Sequence, residues 1–276
     1  MKYYFKTLAF LSVLALVACK PKPKPEIFYL SKQFKITDGD SAVISLPGQS
    51  AIGIVGPINS NTLASYRDLE SKYEVKKLYI DSGGGDVISA MAIADELRQH
   101  DTHLIVAGRC FSACANYIFT GAPHKDVWPG SLIAIHSSQV SYYLKDRVET
   151  VVQRHMNQLA YLDSDGHFKK QFAASAKLEE DFFSKVGISR IDFQIFEGYQ
   201  SRCEQAISKK DSPCRQIDWW TLSRKKLDAM GVKGMGSIWT PDSAKEAAVA
   251  AKALGLNPAT NYFGSGQALG DACKKS

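Results

Sequence analysis

The fold of this chain is decided by the stretch LYIDSGGGD, residues 78–86. Three apolar residues, typical of a buried strand, lead into an aspartate, a serine and three consecutive glycines. Residues 87–100 then carry apolar side chains at helical spacing. A strand that ends in a glycine turn and continues into a helix is the repeating unit of parallel sheets with crossover helices.

The same alternation extends to both sides of this unit. We predict strands over residues 50–55, 75–81, 103–107 and 132–135. Helices are predicted after a cap at Asn59 or Asn61, over 87–100 and over 112–119. Beyond residue 136 the pattern is mostly helical, over 143–162, 168–186, 191–199, 223–230 and 243–254. The predicted class is α/β, a mostly parallel sheet with crossover helices, followed by a helical C-terminal part.

The N-terminus is typical of an exported lipoprotein. Residues 1–18 contain two lysines and then an apolar run of about a dozen residues, too short to span a bilayer but typical of a signal peptide. The run ends in Leu-Val-Ala before Cys19, which resembles the bacterial lipobox, so we expect a lipid on Cys19. Lys20 follows the cysteine where an aspartate would retain Gram-negative lipoproteins at the inner membrane. We therefore expect the protein to be anchored at the periplasmic face of the outer membrane.

The remaining chain divides into three parts. Residues 19–30 contain KPKPKP, predicted to be a stiff extended spacer, with binding of its lysines to anionic headgroups as the alternative. We assign residues 31–240 to one domain and 241–276 to a C-terminal appendage. The formal net charge is +6, and no basic stripe with interleaved aromatic residues is present. Nucleic-acid binding is therefore not expected.

The cysteines fit an oxidising compartment. Cys203 and Cys214 flank a polar stretch, and a disulfide across it would contribute about 3 kcal/mol by the loop-entropy estimate. Cys110 and Cys114 are compatible with buried thiols, with pairing to each other, or with one of them pairing with Cys273. Ligand spacing for zinc is absent beside them, and we predict no metal and no cofactor.

Three features at predicted strand ends carry chemistry. The glycine turn at 83–85 would present backbone N–H groups to an anion, although such a turn alone is most often structural. Ser112 begins a helix and could simply cap it. His136 ends a strand and could simply bond to the backbone. Because open α/β sheets bind ligands at the carboxyl edge of their strands, the three together favour a nucleophilic site.

These features resemble the Clp protease proteolytic subunit. Residues 80–85 (IDSGGG) are similar to its Ile-Asn-Ser-Pro-Gly-Gly turn, residues 108–112 match its Gly-x-x-x-Ser motif, and 129–136 resemble its Pro-Asn-Ser to His segment. Residues 222–232 resemble its last helix. The resemblance covers roughly 51–232 and implies the fold of the Clp protease and crotonase superfamily.

The resemblance implies a serine peptidase. Ser112 would be the nucleophile, His136 its general base, and Asp218 the third member, with Asp211 a more distant choice. The oxyanion would bind the N–H groups of Gly84 or Gly85 and of Ala113. Relatives form rings and work with an ATP-driven unfoldase. Since the periplasm has no ATP, we expect a homo-oligomer that acts on peptides or unfolded chains without an ATPase partner.

Three alternatives remain at this stage. An acyl-CoA enzyme of the crotonase type would share the fold, but an exported protein would not meet coenzyme A. A Ser/Lys mechanism would need Lys76, Lys77 or Lys125 at the site. A catalytically inactive peptide-binding or scaffold lipoprotein would keep Ser112 and His136 out of hydrogen-bond distance.

Overall fold

The computed structural model describes residues 41–46, 50–136, 138, 167–207 and 216–271. The strands are β1 (Ala42–Leu46), β2 (Ala51–Val55), β3 (Lys77–Ser82), β4 (His103–Phe111), β5 (His124–Val127), β6 (Leu132–Ile135), β7 (Trp219–Thr221), β8 (Met235–Ile238) and β9 (Asn261–Phe263). The α-helices are α1 (Ser60–Lys72), α2 (Val87–Gln99), α3 (His167–Val186), α4 (Ile191–Ile207), α5 (Arg224–Met230), α6 (Ala244–Ala253) and α7 (Gly266–Asp271). A π-helix spans Cys114–Phe119, and a 3-10 turn spans Pro258–Thr260.

All the strands of the described residues belong to one sheet, in the order β1-β2-β3-β4-β6-β7-β9. Strands β2, β3, β4 and β6 are mutually parallel, whereas β1 and β7 pair antiparallel with their neighbours. The first half of β4 also pairs with β5, which in turn pairs with β8. The predicted α/β class with a mostly parallel sheet is confirmed.

The core forms where apolar side chains of the central strands meet the helices. Ile54, Ile80 and Val106 share one face of the sheet and are fully buried, as alternation along a strand requires. The crossover helices begin at side-chain caps. Asn59 accepts from the Thr62 N–H at the start of α1, and Asp86 accepts from the Ser89 N–H at the start of α2. These caps fix where each helix leaves the carboxyl edge of the sheet.

The structure differs from the predicted elements in three places. The strand predicted over 103–107 continues to Phe111, and the helix expected from Ser112 begins only at Cys114. The strands β1, β5, β7, β8 and β9 were not predicted; they lie outside the four parallel strands β2, β3, β4 and β6. The segment assigned to a C-terminal appendage supplies β9, which pairs with β7 and so belongs to the sheet.

Several predictions lie outside the described residues. These are the signal peptide, Cys19, the spacer and the helix over 143–162. Within the part of the chain that is described, no helix combines the length and the apolar character needed to cross a membrane.

Candidate active site

The glycine turn lies between β3 and α2 and bends toward the segment after β2. Gly84 and Gly85 have φ angles of 98° and 143°, where a side chain is strained. The Ile58 N–H donates to the Gly84 carbonyl at 2.8 Å, and the Asp86 N–H donates to the Ile58 carbonyl at 2.7 Å. Because the C=O and N–H of a trans peptide point in opposite directions, the Gly85 N–H faces away from Ile58. The turn therefore presents one backbone donor on its other side.

That other side of the turn lies against Ser112. A Cβ atom built on Gly84 would lie 2.5 Å from the Ser112 Cβ and 2.9 Å from the Ala113 nitrogen. The Gly84 N–H donates to Ser82 Oγ at 3.1 Å. Only a glycine at position 84 permits this close contact with Ser112. Because the Gly84 N–H is bonded to Ser82, the N–H that faces away from the bonds within the turn is that of Gly85. Of the donors expected at Gly84 or Gly85 and at Ala113, this leaves Gly85 and Ala113 as the candidates.

Ser112 occupies a sharp turn between β4 and the π-helix. Its φ angle is 52°, a left-handed conformation that is uncommon for a residue with a side chain. Its N–H donates to the Ala134 carbonyl of β6 at 3.2 Å, and its carbonyl accepts from the Asn116 N–H at 2.7 Å. The residue that precedes the π-helix is Ala113, whose position has no side-chain cap. The hydroxyl of Ser112 therefore does not cap the π-helix.

The hydroxyl is directed at His136, which follows β6. Ser112 Oγ lies 2.5 Å from His136 Nε2. The imidazole is half-buried, and its ring lies 5.5 Å from the Trp219 ring in a T-shaped arrangement. Trp219 also contacts Phe111, at 5.3 Å between ring centroids. The histidine is thus held between the serine on one side and an aromatic side chain of β7 on the other.

Asp218 is not brought to this pair in the described part of the chain. Its carboxylate accepts from Gln216 Nε2 at 2.9 Å, and its N–H donates to the Thr260 carbonyl. Ile135 is paired with Trp220, so the antiparallel register sets Trp219 opposite His136. Because adjacent residues of a strand point to opposite faces, the side chain of Asp218 lies on the other face. The expectation that Asp218 is the third member is thus not supported by the geometry, and Asp211 lies outside the described residues.

A different aspartate, Asp81, stabilises the end of β4 that precedes Ser112. Asp81 is 1% exposed, and its Oδ1 accepts from the backbone N–H of Arg109 at 3.0 Å and from Arg109 Nε at 2.9 Å. The β3–β4 register shifts here, because Ile80 pairs with Val106 but Ser82 pairs with Cys110. The extra residues of β4 form a bulge that the Asp81 carboxylate fills.

The bulge explains why position 108 holds a glycine. A Cβ atom on Gly108 would lie 2.5 Å from the Asp81 Cγ, so any other residue would displace the carboxylate. The role of Asp81 was not predicted from the sequence. The available signal was an acidic residue inside an otherwise apolar strand, where the resembling family has asparagine.

The disulfide of the described residues joins Cys110 to Cys114, with the two Cα atoms 5.1 Å apart. Both cysteines are fully buried and flank Ser112 by two residues on each side. Of the pairings left open for these cysteines, the structure has the one between them. The predicted Cys203–Cys214 bond lies outside the residues whose side chains are described, as does Cys273.

The lysines considered for a Ser/Lys mechanism lie elsewhere. Lys125 is 1% exposed on β5, where it pairs in register with Leu104, near the opposite end of β4 from Ser112. Burial lowers its pKa to about 7, with a smaller contribution from Arg98. Lys76 forms an exposed ion pair with Glu74, and Lys77 is exposed at the first position of β3.

Among the described residues, one group of side chains has the geometry to hold a metal ion. Ligand atoms of Glu70, Glu96 and His100 lie within 4.8 Å of one another between α1 and α2. Both carboxylates already have other partners, since Tyr66 donates to Glu70 and Arg67 donates to Glu96. Burial is also the main cause that raises the pKa of Glu70. The group lies at the far end of α2 from the glycine turn, roughly 20 Å along the helix.

Comparison with known proteins agrees with the resemblance in the sequence. Residues 53–169 match the Clp protease family, which is under half of the chain but includes the glycine turn, Ser112 and His136. Among solved structures, a point mutant of ClpP1 from Listeria monocytogenes aligns with 17% identity and a TM-score of 0.40, over 70% of this chain and 92% of that one. No curated protein matched the sequence. Over residues 53–169 the chain is Clp-protease-like.

Proposed function

We propose that this protein is a serine peptidase in which Ser112 is the nucleophile and His136 its general base. The observation that carries the proposal is the 2.5 Å separation between Ser112 Oγ and His136 Nε2, beside a glycine turn with a donor facing the same side. Neutral imidazole accepts a proton near neutral pH, which makes this pair a competent nucleophile and base.

The reaction follows from these positions. His136 Nε2 takes the hydroxyl proton as Ser112 Oγ attacks the carbonyl carbon of a peptide bond. The oxygen that becomes negative would bind the N–H groups of Gly85 and Ala113. The C–N bond then breaks, and the imidazolium gives its proton to the leaving amine. Water, deprotonated by the same imidazole, hydrolyses the acyl ester and restores Ser112.

We propose that the fold itself positions the Ser112 and His136 side chains. Trp219 packs its ring against that of His136, and the antiparallel pairing of β6 with β7 sets its position. Asp81 and Arg109 hold the bulge before the serine. The Trp219 ring therefore helps to fix the orientation of the imidazole.

The substrate class follows from the Clp-protease-like segment and from the expected location. A lipid on Cys19 would hold the domain at the periplasmic face of the outer membrane, where ATP-driven unfolding is absent. The proposed substrates are accordingly peptides or unfolded chains, hydrolysed by a homo-oligomer without an ATPase partner. Replacing Cys19 by alanine should move the protein from the membrane to the soluble fraction. Retention of this variant in the membrane would contradict the anchor.

A second candidate function is a peptide-binding lipoprotein without turnover. The separation of Ser112 and His136 expected for such a protein is not found, since Ser112 Oγ lies 2.5 Å from His136 Nε2. The observation on its side is that the Asp218 carboxylate bonds to Gln216 and not to the imidazole in the described part of the chain. Such a protein would bind peptides along the same glycine turn but would release them intact.

Cleavage of a peptide mixture distinguishes the two functions. The full-length protein, purified in detergent, is incubated with a defined peptide library and the products are identified by mass spectrometry. We expect new termini with wild type and with Ser71→Ala, a control at an exposed serine of α1. Ser112→Ala and His136→Ala should produce none. Binding of the library without cleavage by wild type would favour the binding protein.

A further inference from the structure

We propose that the Cys110–Cys114 disulfide is a positioning element for Ser112, so that the oxidised protein is the reactive form. This inference rests on the hydrolase function proposed above and adds a redox requirement to it. The bond closes a ring whose interior contains only Phe111, Ser112 and Ala113. It thus encloses the turn on which the nucleophile lies.

The size of this ring limits what the bond can do for global stability. The entropy that a disulfide removes from the unfolded chain grows with the logarithm of loop length, so a ring this short contributes less than a long one. Both cysteines also pack in the main apolar core, where two thiols would remain buried and well accommodated. The larger consequence of the bond is local.

The local consequence concerns the backbone at Ser112. A φ angle of 52° at a non-glycine residue persists only where the surroundings impose it. On the β4 side Cys110 is fixed by its pairing with Ser82 and Ile133, and on the other side Cys114 is the first residue of the π-helix. The disulfide holds these two positions 5.1 Å apart, as Cα atoms, across the turn.

Small movements of this turn have large effects at the site. The backbone of Gly84 leaves no space beside the Ser112 Cβ, and the hydroxyl lies 2.5 Å from the imidazole. If the ring opens, Ser112 can relax toward an ordinary backbone conformation and its Oγ leaves Nε2. A misplacement of about 1 Å at a reacting atom can reduce a rate by about 100-fold.

The redox step balances with a dithiol as the reductant. A dithiol such as dithiothreitol loses two electrons and two protons and becomes a cyclic disulfide. The Cys110–Cys114 bond takes up both and becomes two thiols. In an oxidising compartment the bond would persist, and the enzyme would lose reactivity wherever a dithiol reductant reaches it.

The test compares the labelling rate of oxidised and reduced protein with a fluorophosphonate probe. Full-length protein is labelled before and after dithiothreitol, thiols are counted by mass after a denaturing quench, and the fold is followed by near-ultraviolet circular dichroism. We expect labelling about 10- to 100-fold slower in the reduced, still folded protein, and recovery on reoxidation. Cys110→Ala/Cys114→Ala should match the reduced form. Cys203→Ser/Cys214→Ser should keep the full dependence on dithiothreitol.

Hydrogen exchange supplies a readout that does not depend on activity. The Asn116 N–H bonds to the Ser112 carbonyl, so peptides covering 108–119 should exchange faster after reduction while the rest of the sheet remains protected. Equal labelling rates in oxidised and reduced folded protein would overturn the proposal. Global unfolding on reduction would also overturn it, because the bond would then stabilise the fold and not the turn. Failure of the oxidised protein to react at all contradicts the hydrolase function instead, before any reductant is added.

Discussion

The two ends of β4 differ in how their polar groups are satisfied. At the carboxyl end, Asp81 bonds to Arg109 and Ser112 bonds to His136, so polar side chains from β3, β4 and β6 converge on one turn. At the amino end Asp126 lies 3.1 Å from His103 Nε2 and Asp101 lies 3.0 Å from His124 Nε2, and Lys125 belongs to neither pair. The ammonium of Lys125 donates to the Thr120 carbonyl at 3.3 Å and lies over the Phe119 ring.

This difference distinguishes a candidate active site from a single residue whose pKa is shifted. Lys125 has a strongly shifted pKa, which is often a mark of an active site, yet its nearest partners are a carbonyl and an aromatic ring. Ser112 combines a strained backbone, an imidazole nitrogen 2.5 Å from its hydroxyl oxygen and a glycine turn packed against its Cβ. Convergence of complementary groups, more than burial or a shifted pKa, identifies the carboxyl end as the candidate site.

The largest expected effect is at the glycine turn. In Gly84→Ala the new methyl group would meet the Ser112 Cβ at 2.5 Å, at a φ of 98° that disfavours any side chain. We expect fluorophosphonate labelling to fall by about 100-fold or more, because the turn would move away from the serine. Gly83→Ala is the matched control, since a Cβ there meets nothing within 4 Å. Equal labelling rates in the two variants would show that the glycine turn takes no part in the site.

The next effect is at the bulge behind the serine. Asp81→Ala leaves the buried part of Arg109 without its carboxylate, and we expect a loss of about 3 kcal/mol in the free energy of unfolding, with slower labelling. Asp81→Asn can still accept from the Arg109 N–H and should lose about 1 kcal/mol. Chemical denaturation measures both. Asp95→Ala, which removes an exposed ion pair with Lys185, should change stability by less than about 0.5 kcal/mol. A loss no larger in Asp81→Ala than in this control would contradict the role of the bulge.

At the other end of β4, Lys125→Met should increase stability and leave labelling unchanged. The pKa of Lys125 is about 7 in the folded protein and 10.5 when unperturbed. Between these values the unfolded chain binds a proton that the folded protein does not. Wild-type stability should therefore rise with pH from 7 to 10.5, by up to about 1.4 kcal/mol per pH unit, and stay at its low value below pH 7.

Denaturation at a series of pH values checks this behaviour. The rise should be absent in Lys125→Met and present in Lys76→Met, a control at an exposed lysine. The same rise in Lys125→Met as in wild type would show that another group is responsible.

The smallest effect is expected at Asp218. Because its carboxylate bonds to Gln216 on the face away from His136, Asp218→Asn should change the labelling rate by less than about threefold. The aspartate of a serine-protease triad contributes on the order of 10,000-fold. A loss approaching that size would restore Asp218 to the site and would require a different arrangement of β7.

The sequence predicts the part of this fold that depends on local signals. The central strands, the Asn59 cap and the glycine turn are visible because apolar periodicity and capping residues lie close together in the chain. Ser112 and His136 could be expected together because each ends a strand of the same parallel sheet.

The remaining features depend on partners that are distant in sequence. The strand β4 extends to Phe111 because Asp81 fills its bulge, and the face to which Asp218 points depends on the register of β6 with β7. Neither a bulge nor a register can be derived from the residues of one strand alone.

The most direct test of the account is the location of a covalent adduct. Full-length oxidised protein is reacted with a fluorophosphonate, digested, and mapped by tandem mass spectrometry, with His136→Ala in parallel. We expect one adduct, on Ser112, in wild type and a rate at least about 100-fold lower in His136→Ala. An unlabelled Ser112 in folded oxidised protein, or equal labelling without His136, would contradict it.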